Sequence, residues 1–509
     1  MRNTIITSVL ALLCTHGALA GSLIDAATRH SQQNFSEYLE LLAIPNVPDQ
    51  PTDIQRNARF LERAFQKRGF DTRLLENPAG RPAVFAHIAS AAPEMKTILF
   101  YMHFDGQPVI PEDWSQKNPF DPVVRKRDTH GQWRDVSPDQ LASRPLDPEL
   151  RVFARSSSDD KAPIMMLLTA IDLLRSQRAT PAIGIKVFLD PEEEISSPSL
   201  AGTIERHRAL FAADAMVILD GPAHDSGRPT LVFGNRGITQ ATLTVFGPRN
   251  PLHSGHFGNY APNPAFRLAT LLASMKDDAG RVLIAGYYDG VKLTSSDRAV
   301  LAEVGDDEAA LRERIGVARA EKVGENYQQA MQFPSLNVRG MASAAVGAKA
   351  ANIVPHEAVA ELDLRTTPDS EGRRLFALLK RHVEQQGYHL VEKSPSDEER
   401  ARHDKLASLR LGSVQAAVRV PTDAPVGRWA FGALKTATAP NPNVEPVRIR
   451  MMGGTVPTDV LVNALQLPFI LMPTVNADNN QHSHDENLRI GNFITGTEAI
   501  YSLLTTPYR

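Results

Sequence analysis

The sequence predicts an α/β protein: a discontinuous domain with a mostly parallel sheet flanked by helices, interrupted by a smaller inserted α+β domain. Three observations carry that expectation. Short apolar runs alternate with helical patterns at close spacing over residues 71–219, the order that builds parallel sheets. The texture changes near Gly237, where 238–246 and later 360–365 alternate like strands with one wet face. After a polar stretch at 394–405, which reads as a return linker, the first texture resumes from about 425. A chain of 509 residues also exceeds one ordinary core, so a domain boundary is expected on length alone.

The N-terminus has the layout of an export signal. Arg2 supplies positive charge, 5–13 is mostly apolar, and Ala18-Leu19-Ala20 is a small-x-small cleavage site before Gly21. The expected divisions are therefore 1–20 for the signal, 21–236 and 401–509 for the two parts of the first domain, and 237–400 for the insertion. A lipid-attached Cys14 and a buried N-terminal helix are the alternatives for the first stretch, whose apolar run is short for a bilayer. Cleavage after Ala20 would remove the only cysteine, leaving no disulfide and no thiol nucleophile in a secreted or periplasmic chain. No later segment reads as a transmembrane span. Hydrophobic content of 42%, charged content of 22% and a formal net charge of -3 are ordinary for a globular protein. The absence of a long basic or acidic run argues against nucleic acid or an anionic membrane surface as a main partner.

Taken in order, 57–68 carries Ala58, Leu61, Ala64 and Phe65 at helical spacing and stops at Gly69. Strands are expected at 71–75 and 83–88, then in the apolar run that ends at His103. Residues 106–150, rich in Pro, Asp and Arg, read as surface loop. A helix over 161–177 has Pro163 in its first turn, where the missing amide proton costs nothing. A strand at 183–189, a helix at 198–211 and a strand at 215–219 follow. Within the insertion, helices are expected at 263–276 and 370–386 and a strand at 388–392, while 290–335 shows no assignable pattern. The last part holds a helix at 427–436, strands at 447–451 and 467–472, and a final helix from Gly491.

The strand ends carry the chemistry. In open α/β sheets ligands gather outside the carboxyl ends of the strands. His103 and Asp105, two apart on extended chain, point to one face. Imidazole suits zinc, and a carboxylate two residues on can hold the ring's second nitrogen. Asp159 and Asp160 precede the helix at 161, Glu192, Glu193 and Glu194 follow the next strand, Asp220 ends another, and Gln481-His482-Ser483-His484-Asp485 follows the last. Singly, these read as a helix cap, a solvated charge run, a turn former and a loop histidine. Together at the strand ends of one sheet they describe a pocket whose negative charge calls for a pair of divalent metal ions.

The ordered set His103-Phe104-Asp105, Ser158-Asp159-Asp160-Lys161, Glu193-Glu194, Leu219-Asp220, Leu252-His253-Ser254-Gly255, Gly453-Gly454-Thr455-Val456-Pro457 and Gln481-His482-Ser483 covers roughly 35–505. It resembles the co-catalytic dinuclear zinc peptidases of clan MH: carnosinases, cytosolic dipeptidases, glutamate carboxypeptidases and aminoacylases. The resemblance implies that His103 and Asp220 hold one zinc, Glu194 and His482 the other, and Asp159 bridges them, leaving room for a bridging water. Manganese or cobalt would suit the same ligands. It implies Glu193 as general base, Asp105 as the group orienting His103, and a cis bond between Asp159 and Asp160.

For the insertion the resemblance implies a lid and dimerisation domain, with His253 reaching the active site of a neighbouring protomer to stabilise an oxyanion. A homodimer is the expected assembly. Asn352 and Arg365 match positions that recognise a substrate carboxylate, a task suited to the two-pronged guanidinium; Arg365 otherwise reads as a surface strand pair with Asp363. Gly454 and Thr455, with Gly453, could offer backbone amides to that carboxylate. The implied activity is hydrolysis of dipeptides or short peptides with a free C-terminal carboxylate, by a dipeptidase or carboxypeptidase. An N-acyl amino acid deacylase is the alternative, with a non-catalytic binding protein and a two-metal phosphoesterase behind it. The pattern also departs from the family: Ala154-Arg155-Ser156 replaces Gly-Arg-Gly, Ala162 and Ser196 stand where glycines are usual, and the loop 129–151 is longer.

Overall fold

The computed structural model describes residues 4–90, 92–438, 444–454 and 457–509, with side chains from Leu23 onward except that of Thr438. The chain divides into two compact units. The first comprises Met1–Phe233, Val420–Ile449 and Val456–Arg509. Its main sheet contains β1 (Asp71–Leu75), β2 (Ala83–Ile88), β3 (Thr97–His103), β4 (Gly184–Asp190), β5 (Ala215–Ile218), β6 (Thr230–Val232), β7 (Val447–Ile449) and β8 (Phe469–Leu471), in the order β1-β2-β4-β3-β5-β8-β6-β7. The central strands β4, β3, β5 and β8 run parallel, as β6 and β7 do to each other. Pairings β1–β2, β2–β4 and β8–β6 are antiparallel. Strands β3, β4 and β5 are mostly apolar because both faces are covered, and nearly every residue in them is buried.

The cover comes from α1 (Thr4–Leu42), α2 (Pro51–Lys67), α3 (Lys161–Ser176), α4 (Leu200–Arg206), α5 (Pro425–Thr438), α6 (Thr458–Leu465) and α7 (Ile490–Thr505). Helix α2 starts six residues before the expected 57, because Pro51 is pre-set for the first turn and Asp53 complements the positive helix start. Its buried Ile54, Ala58, Leu61 and Phe65 form the expected apolar stripe. Helix α3 is apolar nearly all round and correspondingly buried, packed between α1 and α7. From Leu23 on, α1 contributes Phe35, Tyr38, Leu41 and Leu42 to this core, and Phe35 meets Phe493 of α7 edge-on at 5.2 Å.

The expectation of surface loop over 106–150 is corrected here. Val123–Arg127 and Trp133–Val136 form a hairpin that joins Arg151–Phe153 and Asn487–Arg489 in a four-stranded antiparallel sheet. Hydrophobic alternation misses it because the packing uses arginine on aromatic faces. The Arg127 and Arg151 guanidinium carbons lie 4.7 and 5.1 Å from the Trp133 ring centre, and that of Arg125 lies 4.6 Å from Phe153.

The second unit comprises Gly234–Arg419 and Arg450–Thr455. Its five-stranded sheet runs in the order Ser335–Ala342, Glu357–Thr366, Gly237–Phe246, Leu406–Gln415, His389–Leu390. The two central expected strands alternate buried and half-buried residues along their length. Their inward Leu243, Val245, Leu362 and Leu364 pack under helices Pro264–Ala273 and Gly372–Gln385. The expected boundary at 400 precedes Leu406–Gln415, which pairs antiparallel along Gly237–Phe246. The polar stretch at 394–405 is accordingly a connection within this unit, containing a helix, Asp397–Arg402, capped reciprocally by Ser396 and Glu399. The unassigned region 290–335 holds three short helices, Ser295–Glu303, Glu308–Ile315 and Tyr327–Ala330, each with a side-chain cap from Thr294, Asp307 or Asn326. Among the described residues no helix is long and apolar enough to cross a membrane.

Candidate metal centre

Parallel strands β4, β3 and β5 end side by side, so the residues that leave them share one rim. Strand β3 delivers His103, which is fully buried. Its Nε2 lies 2.9 Å from Asp159 Oδ1, and its Nδ1 lies 3.2 Å from Asp105 Oδ1. Asp105 also accepts the backbone N–H groups of Glu193 at 3.1 Å and Glu194 at 3.0 Å, tying the β3 end to the turn that follows β4. From the loop after β8, His482 Nε2 lies 3.1 Å from Asp159 Oδ2 and 3.2 Å from Glu194 Oε2. The two oxygens of Asp159 thus face two different imidazoles. Donor atoms of His103, Asp159 and Asp220 lie within 4.8 Å of one another, and so do those of Asp159, Glu194 and His482. The Asp159–Asp160 peptide is cis.

The charge balance follows from burial. Burial opposes protonation of His103, but the Asp105 and Asp159 carboxylates outweigh it and hold the imidazole well above its ordinary value. Its bond to Asp159 raises His482 to about 9 against a smaller opposing effect of burial. Burial, reinforced by Asp159, pushes Glu194 up to about 8 and Asp220 to about 6. Glu193 is raised too, by burial first, with His103 favouring its charge and Asp220 and Glu194 opposing it. Asp160 accepts the His103 N–H at 3.2 Å through Oδ2, while its buried Oδ1 has no hydrogen-bond partner among the described residues. Burial is what raises these carboxyls first, and the neighbouring carboxylates reinforce it, since acidic side chains outnumber basic ones here. This donor set fits a pair of divalent cations: mixed nitrogen and oxygen donors, three to each position, with one carboxylate common to both.

Several supporting residues had no supporting role assigned in the sequence reading of the site. Glu486 is fully buried and accepts hydrogen bonds from the N–H groups of Ser156, Ser158 and Asp159, each at 2.9 Å. Arg155 donates to it at 2.7 Å. Gln107 donates to Glu194 at 2.7 Å and Gln481 to Asp159 at 3.2 Å. Asp190 accepts from Tyr101, Ser197 and the Glu192 N–H, and burial pushes it up to about 6. Glu192 is no solvated charge: it is 1% exposed and paired with Arg81 at 2.7 Å. Lys161 is buried and donates to the Leu41 and Ile44 carbonyls at 2.9 and 2.8 Å, holding the end of α1, while Tyr38 of α1 donates to the Ser157 carbonyl. Nothing in the sequence marked Glu486 out, because its partners stand some 330 positions away.

The backbone shows why glycine is usual at two of the positions where this chain departs from the family pattern. Ser156 and Ser196 have φ of 61° and 68°, the left-handed region that favours glycine. Ser156 Oγ accepts from Asn46 at 2.9 Å and fills the space beside Gly106, where an added Cβ would come within 2.3 Å of it.

The second unit holds the remaining expected residues. His253 and Asn352 are brought together: Leu252–His253 pairs with Ile353–Val354, and the Ser254 N–H donates to the Asn352 carbonyl at 2.9 Å. His253 Nδ1 accepts the Gly255 N–H at 3.1 Å, which puts the proton of the neutral ring on Nε2. Arg365 Nε lies 3.9 Å from Asp363 Oδ1, within its own strand. Gly454 is exposed, in the segment tied to Gly234 and Arg236 through Met452. Thr455 lies outside the described residues.

Comparison with known proteins identifies the family. Residues 99–506 match the model of peptidase family M20/M25/M40. The Cys-Gly metallodipeptidase dug1 of Schizosaccharomyces pombe is 26% identical over 410 residues, covering 79% of this chain and 78% of that protein. The human Beta-Ala-His dipeptidase is 24% identical over 426 residues, covering 82% and 76%. Among solved structures, an M20 family metallo-carboxypeptidase from Sulfolobus solfataricus superposes with a TM-score of 0.72 at 25% identity, over 92% of this chain and 98% of that one.

Proposed function

The chain belongs to peptidase family M20/M25/M40, and from that premise we propose that it is a dinuclear zinc dipeptidase or carboxypeptidase acting on short peptides with a free C-terminal carboxylate. That it is a metal-dependent peptidase follows from the family and from relatives named as metallodipeptidases. The observation that carries the finer reading is Asp159, whose two oxygens face two separate clusters of donors. In this reading His103 and Asp220 hold one ion, Glu194 and His482 the other, and Asp159 both.

Bound there, zinc ions supply Lewis acidity, lowering the pKa of water and polarising a carbonyl. Glu193 takes the proton of the attacking water and passes it to the leaving nitrogen. The turn that carries it separates its task from its neighbour's: Glu194 is directed to His482, and Glu193 is in electrostatic reach of His103 and Asp220. Asp105 fixes the His103 ring through Nδ1. His253, with its proton on Nε2, is a donor suited to an oxyanion, and it acts in the partner of a homodimer. Arg365 and Asn352 recognise the substrate carboxylate, with Gly454 and Thr455 adding backbone donors. The names of the relatives support a dipeptide substrate. Export to the periplasm or outside the cell, after cleavage behind Ala20, belongs to the same proposal.

The test is a panel of dipeptides, their C-terminal amides and N-acyl amino acids on metal-reconstituted enzyme, with elemental analysis. Turnover of free-acid dipeptides with two ions per chain is expected. Asp159→Ala should lose both ions and all activity; two ions retained in that variant would refute the shared ligand.

A further inference from the structure

His103 and His482 are held in different ways. His103 is fully buried on a strand paired on both sides. The His482 side chain is 54% exposed, on a backbone with φ of 61°, so packing does not set its position. A pair of buried charges ties its loop to the Asp159 side, beside the part-buried Gln481 bond to Asp159 and the ladder between Asn487–Arg489 and Arg151–Phe153. Glu486 Oε2 accepts from Arg155 Nη1 at 2.7 Å and from the Ser156 N–H at 2.9 Å. Its Oε1 accepts from the Ser158 N–H, the Ser158 hydroxyl and the Asp159 N–H, each at 2.9 Å. Arg155, 2% exposed, donates through Nη2 to the Ser483 carbonyl at 3.1 Å and reaches the Pro108 carbonyl at 3.5 Å. Two side chains therefore join the stretch beyond His103, the stretch leading to Asp159 and the residue after His482. Ser115 also donates to Asp485 at the exposed surface.

We infer that Arg155 and Glu486 are a positioning pair that sets the His482 side of the centre against the Asp159 side; the inference rests on the metal-centre reading above. Neither touches substrate or ion. The two Glu486 oxygens divide the work, one holding Asp159 in place and the other anchoring the arginine that grips Ser483. Loosening the second should therefore weaken the ion held by His482 and Glu194 while the ion held by His103 and Asp220 keeps its ligands.

Glu486→Gln tests this division. With the amide oxygen at the Oε1 position, Ser158 and Asp159 keep their acceptor, while the NH₂ group meets two donors, Arg155 and the Ser156 N–H. Arg155→Lys keeps a cation but cannot reach Glu486 and Ser483 together. Chelator-stripped proteins are titrated with Co²⁺, followed by visible absorption and elemental analysis. Wild type is expected to take two ions. Both variants should fill the first position as wild type does and bind the second about 10–100-fold more weakly. Arg68→Met is the control: it removes another buried arginine, 3% exposed and bonded to Glu37 and Asp172, and should lower Tm with both ions held normally. Unchanged second-site affinity in the variants, equal weakening of both ions, or the same weakening in the control overturns the inference. A wild type that takes fewer than two ions overturns the metal-centre reading and this inference with it. If Glu486→Gln does not fold, Arg155→Lys decides alone.

Discussion

At the scale of single residues, Glu193 and Glu194 show how neighbours on one short turn acquire different tasks. Both backbone N–H groups point to Asp105, yet Glu194 meets His482 while Glu193 is left toward His103 and Asp220. Glu193→Gln keeps the size of the side chain and removes the proton acceptor. Its kcat should fall by about 10²–10⁴-fold with two ions still bound, checked by steady-state kinetics beside elemental analysis. Near-normal turnover would give the role to another group. Ser196 makes a stability argument instead. It is exposed, closes the Glu193–Ile195 turn, and sits at φ 68° and ψ 31°, where a side chain is unfavourable. Ser196→Gly should stabilise the apo protein by about 0.5–1 kcal/mol in urea unfolding, the relief of the left-handed backbone exceeding the entropy lost by glycine.

At the scale of elements, helix α7 carries a charge in an apolar setting. Glu498 lies between buried Thr497 and Ala499, and burial raises its carboxyl from 4.5 to about 7. The folded state thus holds this proton more tightly than the unfolded chain does. The associated stability is fully present below about pH 4.5 and is lost as pH rises through about 7. Glu498→Gln should leave Tm unchanged near pH 4 and raise stability by about 1–3 kcal/mol at pH 8. An equal gain at both pH values would mean that the effect is packing, not titration. The arginine-faced hairpin gives the complementary lesson. Strands Val123–Arg127 and Trp133–Val136 fold on guanidinium–aromatic contacts, which no scale of hydrophobic alternation registers.

At the scale of the whole molecule, the proposal that His253 serves a partner's active site makes assembly part of catalysis. Glu193→Gln and His253→Ala should each be nearly inactive alone. Co-expressed, about half of the randomly paired dimers are mixed, and each mixed dimer has one site with an intact Glu193 and an intact His253 from its partner. Activity should recover to roughly a quarter of wild type. A His253 that serves its own chain predicts no recovery, and an active monomer in sedimentation would end the idea sooner.

What the sequence determined by itself was local: the apolar strand runs, the bodies of the main helices and the order of acidic and imidazole residues in the loops. Periodicity and turn chemistry act over a few residues, so β3, α3 and the strands Gly237–Phe246 and Glu357–Thr366 were legible from their own side chains. The ligand candidates were legible for the same reason, as acidic and imidazole residues at the strand ends, before α3 and in the loop after β8. What only the tertiary structure decided was long-range pairing. That Leu406–Gln415 belongs to the second unit depends on its ladder with Gly237–Phe246, because a strand's membership lies in its hydrogen-bond partner and not in its composition. In the sequence Glu192 read as part of a solvated charge run, and nothing pointed to Glu486. Only folding shows one bound to Arg81 and the other holding the Asp159 loop, since a buried charge is defined by the partner that burial brings to it.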